Sequence, residues 1–303
     1  MAEAAAKTCC GYVVILGAPN AGKSTLLNAL VGAKVAIVTP KVQTTRTRIT
    51  AIAVEGPVQI VFVDTPGIFA PRRRLDRAMV QAAWAGAGDA DVSVLLVDAA
   101  HYNAAHMAPI LEGLGQLKSA PILALNKVDA VAKDKLLALA AELNAKARSS
   151  DTFMISALTG DGVADLKAHL AARMPQGPWL YPADQLADMP ERLLAAEITR
   201  EKLFLRLHQE VPYGLTVETE SWEERKDGSA RINQAIHVAR EAHKPIVLGK
   251  GGQTLKSIGA AARAEMEQIF DRRVHLFLFV RVTEGWADDP EHYRAMGLEF
   301  PKS

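Results

Sequence analysis

Between residues 17 and 24 the chain reads GAPNAGKS: two glycines five apart, then at once a lysine and a hydroxyl. The stretch follows an apolar run, YVVIL, and opens a run of helical periodicity, TLLNALVG. In that setting the pattern G-x-x-x-x-G-K-[ST] is a phosphate cradle. The backbone from Gly17 through Ala18, Pro19, Asn20 and Ala21 to Gly22 can curl around phosphate oxygens. Lys23 can reach the β- and γ-phosphates, Ser24 can place its hydroxyl on Mg2+, and Thr25 follows in the first helical turn. A plain strand-to-helix turn would not require this order of residues.

Three further stretches extend the chemistry. Asp64, Thr65, Pro66 and Gly67 end another apolar run; Asp64 can hold Mg2+ through water and Gly67 can offer its amide to the γ-phosphate. Asn126, Lys127, Val128 and Asp129 close a third run. A carboxylate at Asp129 accepts from two N–H groups on one edge of guanine, and adenine lacks that amino group, so GTP and GDP are expected rather than ATP. Asn126 is placed to tie this loop to the phosphate cradle, and the stem of Lys127 to cover the base. Ser156 and Ala157 end the last apolar run, where a backbone N–H can meet the guanine carbonyl. The polar loop TPKVQTTRTR (39–48) suits a switch that orders when a threonine hydroxyl reaches Mg2+. Thr45 is the first choice and Thr44 the alternative. Mg2+ is thus assigned to Ser24, Thr45 and Asp64, and hydrolysis of GTP to GDP and phosphate to Lys23, Thr45 and Gly67. Many GTPases carry a water-orienting glutamine right after this last glycine; here it is Ile68, so water must be positioned another way and slow unassisted turnover is expected. PRRRLDR (71–77) could lend an arginine, but reads more simply as a solvated loop.

A second glycine turn, LGKGGQTLKSIG (248–259), lacks the G-K-[ST] ending. Gly249, Gly251 and Gly252 allow close backbone approach, and Lys250 and Lys256 add charge. The surrounding residues 240–281 hold eight basic and four acidic side chains, within a half (176–303) that carries 17 basic against 20 acidic. A short helix, a GxxG turn and a longer helix beside three strands resemble a KH domain of the bacterial type (type II), whose GxxG loop clamps single-stranded RNA backbone. Ile246, Val247, Leu248 and Ile258 are candidates for an apolar floor, with some of them needed for the core.

Positioning these loops requires two domains, as expected for 303 residues. Strand-like runs at 12–17, 60–67, 92–100, 121–129 and 153–158 alternate with helical runs at 25–32, 104–117, 133–147 and 162–174. That alternation gives an α/β domain: a mostly parallel sheet with helices on both faces. The strand at 47–55 is joined to the next by a short gap, so one strand should be antiparallel. The expected division is a GTP-binding domain at 10–174, a proline-rich linker at 175–190, a smaller α+β RNA-binding domain at 191–286, and a tail at 287–303. The second domain should open with a helix at 191–210, followed by strands at 214–222, 230–240 and 273–282. The start, MAEAAAKT, reads as a frayed terminus, and adjacent Cys9 and Cys10 cannot build a disulfide framework, which fits a reducing cytoplasm. No apolar run has transmembrane length.

Taken together, GAPNAGKST, PKVQTTRTR, DTPG, NKVD and SAL, with GWADD at 285–289, resemble the Era family of bacterial GTPases over nearly the whole chain. The resemblance implies a P-loop GTPase domain followed by a KH domain. It also implies a partner, the 3′ end of small-subunit (16S) ribosomal RNA, and a role in 16S rRNA processing and 30S subunit assembly. In related GTPases the position of Asn20 holds a potassium ion; backbone groups or such a cation would position the water in place of the missing glutamine. No stable homo-oligomer is expected. Two other classes compete: a signalling GTPase peripheral to the inner face of the cell membrane, and a constitutive RNA binder with GTP as a structural ligand. The helix ERLLAAEITREKLFLRLHQE mixes both charge signs, unlike a basic interfacial helix.

Overall fold

The computed structural model describes residues 8–41, 44–45, 49–71, 73–208, 211–295 and 298–301. Residues 1–7, 42–43, 46–48, Arg72 and 209–210, which the sequence reading placed in the frayed start, the switch loop, the arginine-rich loop and the end of a helix, lie outside that description. The chain forms two compact units. One combines Met1–Ala36, Thr45–Asp188 and Tyr293–Ser303; the other combines Ile37–Thr44 with Met189–His292.

The first unit is built on β1 (Cys9–Leu16), α1 (Lys23–Val31), β2 (Ile49–Glu55), β3 (Val58–Asp64), α2 (Arg74–Asp89), β4 (Val92–Asp98), α3 (Ala104–Gly113), β5 (Ile122–Asn126), α4 (Lys133–Ala147), β6 (Thr152–Met154), α5 (Val163–Ala171) and β7 (Ala187–Asp188). Among the described residues its sheet runs β6-β5-β4-β1-β3-β2-β7. Neighbours from β6 to β3 pair in parallel, while β2 runs antiparallel to β3 and to β7. Alternate residues of the central strands, Val14 and Leu16, Leu95 and Val97, Leu123 and Leu125, bury against α2, α3 and α4. The α/β architecture is thus the expected one, and the ends of β1, β3, β5 and β6 lead into the candidate loops.

Three details differ from the sequence reading. PRRRLDR is not wholly a loop: α2 starts at Arg74, with the Arg73 amide donating to Asp76 Oδ2 at 2.9 Å. The segment set apart as a linker at 175–190 contributes β7 to the sheet, and Gln59 holds it through Tyr181, donating to its carbonyl at 2.8 Å and accepting from its amide at 3.0 Å. The tail does not stay apart: from Tyr293 on it belongs to the first unit, where Phe300 meets Tyr293 edge-on at 4.9 Å and lies under the Arg74 guanidinium at 5.0 Å.

The second unit contains α6 (Glu191–Arg206), β8 (Leu215–Glu224), β9 (Ala230–Val238), α7 (His243–Leu248), α8 (Gln253–Phe270), β10 (Val274–Val282) and α9 (Pro290–Ala295), whose last residues pass to the first unit. Its sheet runs β10-β9-β8, with β9 parallel to β10 and antiparallel to β8. Parallel pairing of β9 and β10 demands a crossover, which α7 and α8 supply. Leu203, Phe204, Ile236, Val247 and Ile258 share one apolar cluster, so α6, α7 and α8 seal the same face of the sheet.

Candidate functional site

The phosphate cradle joins β1 to α1. Gly22 has φ 97°, the left-handed region that disfavours a side chain, and a Cβ there would collide with Asn126 Nδ2. That contact exists because Asn126, buried at the end of β5, donates to the Ala21 carbonyl at 2.8 Å and accepts from the Ala157 amide at 2.9 Å. One side chain therefore holds together three of the loops singled out in the sequence. Gly67 approaches the cradle equally closely: a Cβ on it would lie 2.8 Å from the Pro19 nitrogen. Ala21, Thr65, Pro66, Ser156 and Ala157 are buried in this assembly; Gly17, Ala18 and Thr25 line it.

Lys23 is buried and its ammonium donates to the carbonyls of Gly17 at 3.2 Å and Ala18 at 3.0 Å. Burial lowers its pKa to about 8, against the pull of nearby Asp64. Burial conversely pushes the Asp64 carboxyl up, and the Lys23 charge with the Thr45 and Ser24 hydroxyls only partly restrains it. Three oxygens meet here: Ser24 Oγ to Thr45 Oγ1 is 3.0 Å, Ser24 Oγ to Asp64 Oδ2 3.2 Å, and Thr45 Oγ1 to Asp64 Oδ2 3.1 Å. Asp64 Oδ1 is buried without a hydrogen-bond partner. Hard oxygen donors with one carboxylate and an orphaned oxygen fit Mg2+ that takes its other ligands from water and phosphate. Thr44, the alternative switch residue, instead bonds Thr39 Oγ1 at 2.7 Å.

Ile68 is buried in the apolar core, and its amide donates to the Gly17 carbonyl at 3.0 Å. Its side chain cannot reach a water on the phosphates. Asn20 is exposed, with φ 62°. On the base side, Lys127 adopts φ 66° and its ammonium is held by Asp98 at 2.6 Å. Burial pushes the Asp98 carboxyl up, but hydrogen bonds from Lys127 and from His101 more than reverse this and leave it below the ordinary range. Asp129 stands exposed in the turn Val128–Ala130. Asp98 escaped the sequence reading, although it ends a strand as Asp64 and Asn126 do and pairs in register with Asn126.

In the second unit the GKGG turn separates α7 from α8. Gly249 has φ 73° and ψ 176°, and a Cβ there would collide with Thr254 Oγ1; Gly251 and Gly252 have φ 59° and 77° with open space around them. Lys250 and Lys256 are exposed. Of the apolar floor candidates, Val247 and Ile258 are fully buried in the core, Leu248 is half-buried and Ile246 faces solvent. Two residues cannot be both core and floor, which leaves Ile246 and Leu248.

Comparison with known proteins agrees with both halves. Residues 12–127 match the sequence model of the 50S ribosome-binding GTPase family, and residues 210–287 that of the KH domain. The chain is 59% identical over 301 residues to GTPase Era of Sinorhizobium medicae (strain WSM419), covering 99% of this chain and 97% of the relative. It is 58% identical over 297 residues to GTPase Era of Brucella suis biovar 1 (strain 1330), covering 98% and 96%. Among solved structures it is similar to a point variant of Aquifex aeolicus Era bound to GDP·AlF4−, with TM-score 0.90, 37% identity, and coverage of 96% and 99%. Era in complex with MgGDPNP and nucleotides 1506–1542 of 16S ribosomal RNA matches with the same figures. With relatives this similar along almost its full length, and with the cradle and base loop tied together by Asn126, the chain belongs to the Era family of GTPases.

Proposed function

We propose that this GTPase is a switch that hydrolyses GTP with Mg2+, binds single-stranded 16S ribosomal RNA near its 3′ end through the GKGG turn, and acts in 16S rRNA processing and 30S subunit assembly. The observation that carries the nucleotide half is the meeting of Ser24, Thr45 and Asp64 oxygens beside an orphaned carboxylate oxygen. Mg2+ bound there would bridge phosphate oxygens and neutralise charge that develops in transfer. Lys23, parked on its own loop, is available to turn to the phosphates; Gly67 lies against the cradle, where its amide can serve them. Asp129 would read the guanine edge and Lys127, steadied by Asp98, would cover its ring.

The RNA half is supported by the open glycine turn with its two lysines and by the similar Era that holds 16S nucleotides. Binding of a fluorescent single strand with the 3′-terminal 16S sequence, measured with GDP and with a non-hydrolysable GTP analogue, tests it. Different affinities in the two states support the switch; equal affinities make GTP a structural ligand; no binding removes the RNA role. With Ile68 sealed in the core, we assign water positioning to backbone groups and a potassium ion at Asn20. Equal turnover in potassium and sodium at the same ionic strength would remove the ion.

The cytoplasm, where that RNA is found, is the proposed location. No helix of the described residues is long and apolar enough to cross a membrane. Peripheral contact with the inner face of the membrane would show as salt-sensitive co-sedimentation with anionic vesicles.

A further inference from the structure

Strand β10 alternates two kinds of residue. Leu276, Leu278, Val280 and Val282 pack into the apolar clusters that the sheet shares with its helices. The residues between them stand on the other face of the sheet. There Phe277 and Phe279 remain 42% and 50% exposed. A sheet face turned to water needs only polar side chains, so two open aromatic rings on one strand call for an occupant. Two residues of a strand span about 6.6 Å, which leaves room for one flat ring on each.

The surroundings indicate which occupant. The outward residues of β10 are His275, Phe277, Phe279 and Arg281, aromatic or basic throughout. On the next strand Arg231, in register with His275, lays its guanidinium over the Phe277 ring at 5.0 Å. Its Nε is buried without a hydrogen-bond partner. The carboxylates of this face, Glu218 and Glu223, belong to β8 on the far side of β9, and Glu220 of that strand is held by Arg281 at 2.6 Å. Aromatic rings beside a cation suit nucleobases and their phosphates, because every base offers a π face. The face is also continuous with the GKGG turn. Leu278, between the two rings, meets Gly259 of α8, the helix that the turn opens; a Cβ on Gly259 would lie 3.3 Å from Leu278 Cδ1. Strand β10 forms the edge of the sheet, around which a strand held at the turn can pass.

We propose that the outer face of β10 is a second RNA contact. Phe277 and Phe279 stack on unpaired bases of a strand whose backbone the GKGG turn clamps, while Arg231 holds the Phe277 ring and adds positive charge. The proposal rests on the reading of this unit as RNA-binding. The turn then fixes the backbone, and the two rings lengthen the footprint without reading sequence.

The test measures binding of fluorescent single strands with the 3′-terminal 16S sequence to the full chain. One strand has about four nucleotides, the length a GxxG turn clamps, and the other about ten. The variants are Phe277→Leu combined with Phe279→Leu, Phe277→Trp alone, and Lys250→Asp combined with Gly251→Asp. Leucine keeps an apolar side chain on a face away from the core, so the unfolding temperature should stay unchanged. The double leucine variant should bind the long strand about tenfold to a hundredfold more weakly, with the short strand and GDP bound as before. Phe277→Trp, which keeps a ring, should bind the long strand as the unmodified chain does. A long strand made abasic should not distinguish the unmodified chain from the double leucine variant, because nothing is left to stack. If the folded double leucine variant binds the long strand normally while the variant of the turn loses it, the stacking face is overturned and the RNA reading stands. If the unmodified chain binds neither strand, both fail. Self-association that the double leucine variant abolishes, with RNA affinity unchanged, would assign the face to a second copy of the chain and overturn the proposal.

Discussion

At the scale of single residues, the nucleotide site sets two opposed demands on Lys23. On the proposed reading it must be buried to meet phosphates, and burial lowers its pKa from an ordinary 10.5 to about 8. Between those values the unfolded chain holds more protons than the folded one, so this residue makes stability rise with pH across that window. Phosphates favour the charged ammonium, so GDP binding should take up a proton. Calorimetry of GDP binding without Mg2+ at pH 8, in two buffers of different ionisation enthalpy, should give uptake of about half a proton, and none for Lys23→Met. Asp129 permits a test of the base. Asp129→Asn replaces a charge-assisted pair of hydrogen bonds and should weaken GTP binding by on the order of 2–3 kcal/mol while raising preference for xanthosine nucleotides. Equal competition by ATP against GTP on the unmodified protein would refute the guanine assignment.

At the scale of elements, the GKGG turn is the place to separate a ligand-binding loop from a mere turn. Lys250→Asp with Gly251→Asp sets two negative charges where an RNA backbone would lie. RNA affinity should fall several-fold to a hundredfold, about 1–3 kcal/mol, with a larger effect at low salt. Gly251 sits at φ 59°, so the aspartate there costs about 1 kcal/mol of stability, and thermal unfolding should start a few degrees lower. GTP affinity should be unchanged; unchanged RNA affinity in the folded variant would leave GKGG as a turn only.

Elements also differ in how plainly the sequence displays them. The loops proposed for phosphate and base are legible because each needs fixed residue types at strand ends, and backbone geometry ties those types to local spacing. Helix α2 was not, because the face it buries is made of Ala78, Ala83, Gly86 and Ala87, with only Leu75 and Met79 to mark a periodicity. Small residues let it approach β3, where Gly86 lies near Thr65 and Val63, yet they give almost no hydrophobic signal. Strand β7 is two residues long and finds its partner far away in sequence. The role of Asp98 likewise depends on a partner that no local pattern names.

At the scale of the whole molecule, neither unit is continuous in sequence. Tyr293 is fully buried, and its unit is the one that carries Lys23 and Asp129. Tyr293→Ala should therefore destabilise that unit by about 3–5 kcal/mol, lowering its unfolding temperature by on the order of 10 °C. The affected transition can be identified because added GDP raises it, as ligand linkage requires. A drop confined to the transition that GDP leaves in place would contradict this partition of the chain.

The same interleaving has a consequence for how the protein is made. Synthesis proceeds from the N-terminal side, and domains ordinarily fold in that order as they emerge. Here every motif of the nucleotide site is translated early, but Tyr293–Ser303, which completes that unit, comes after the whole of Met189–His292. Conversely, Ile37–Thr44 is translated long before the remainder of its own unit. A nascent chain therefore carries an unfinished nucleotide unit until the RNA-binding unit has been translated. A fragment broken off before Tyr293 would display all the signature loops and still lack Tyr293–Ser303 of their unit, and it should be cleaved by protease faster than the full chain.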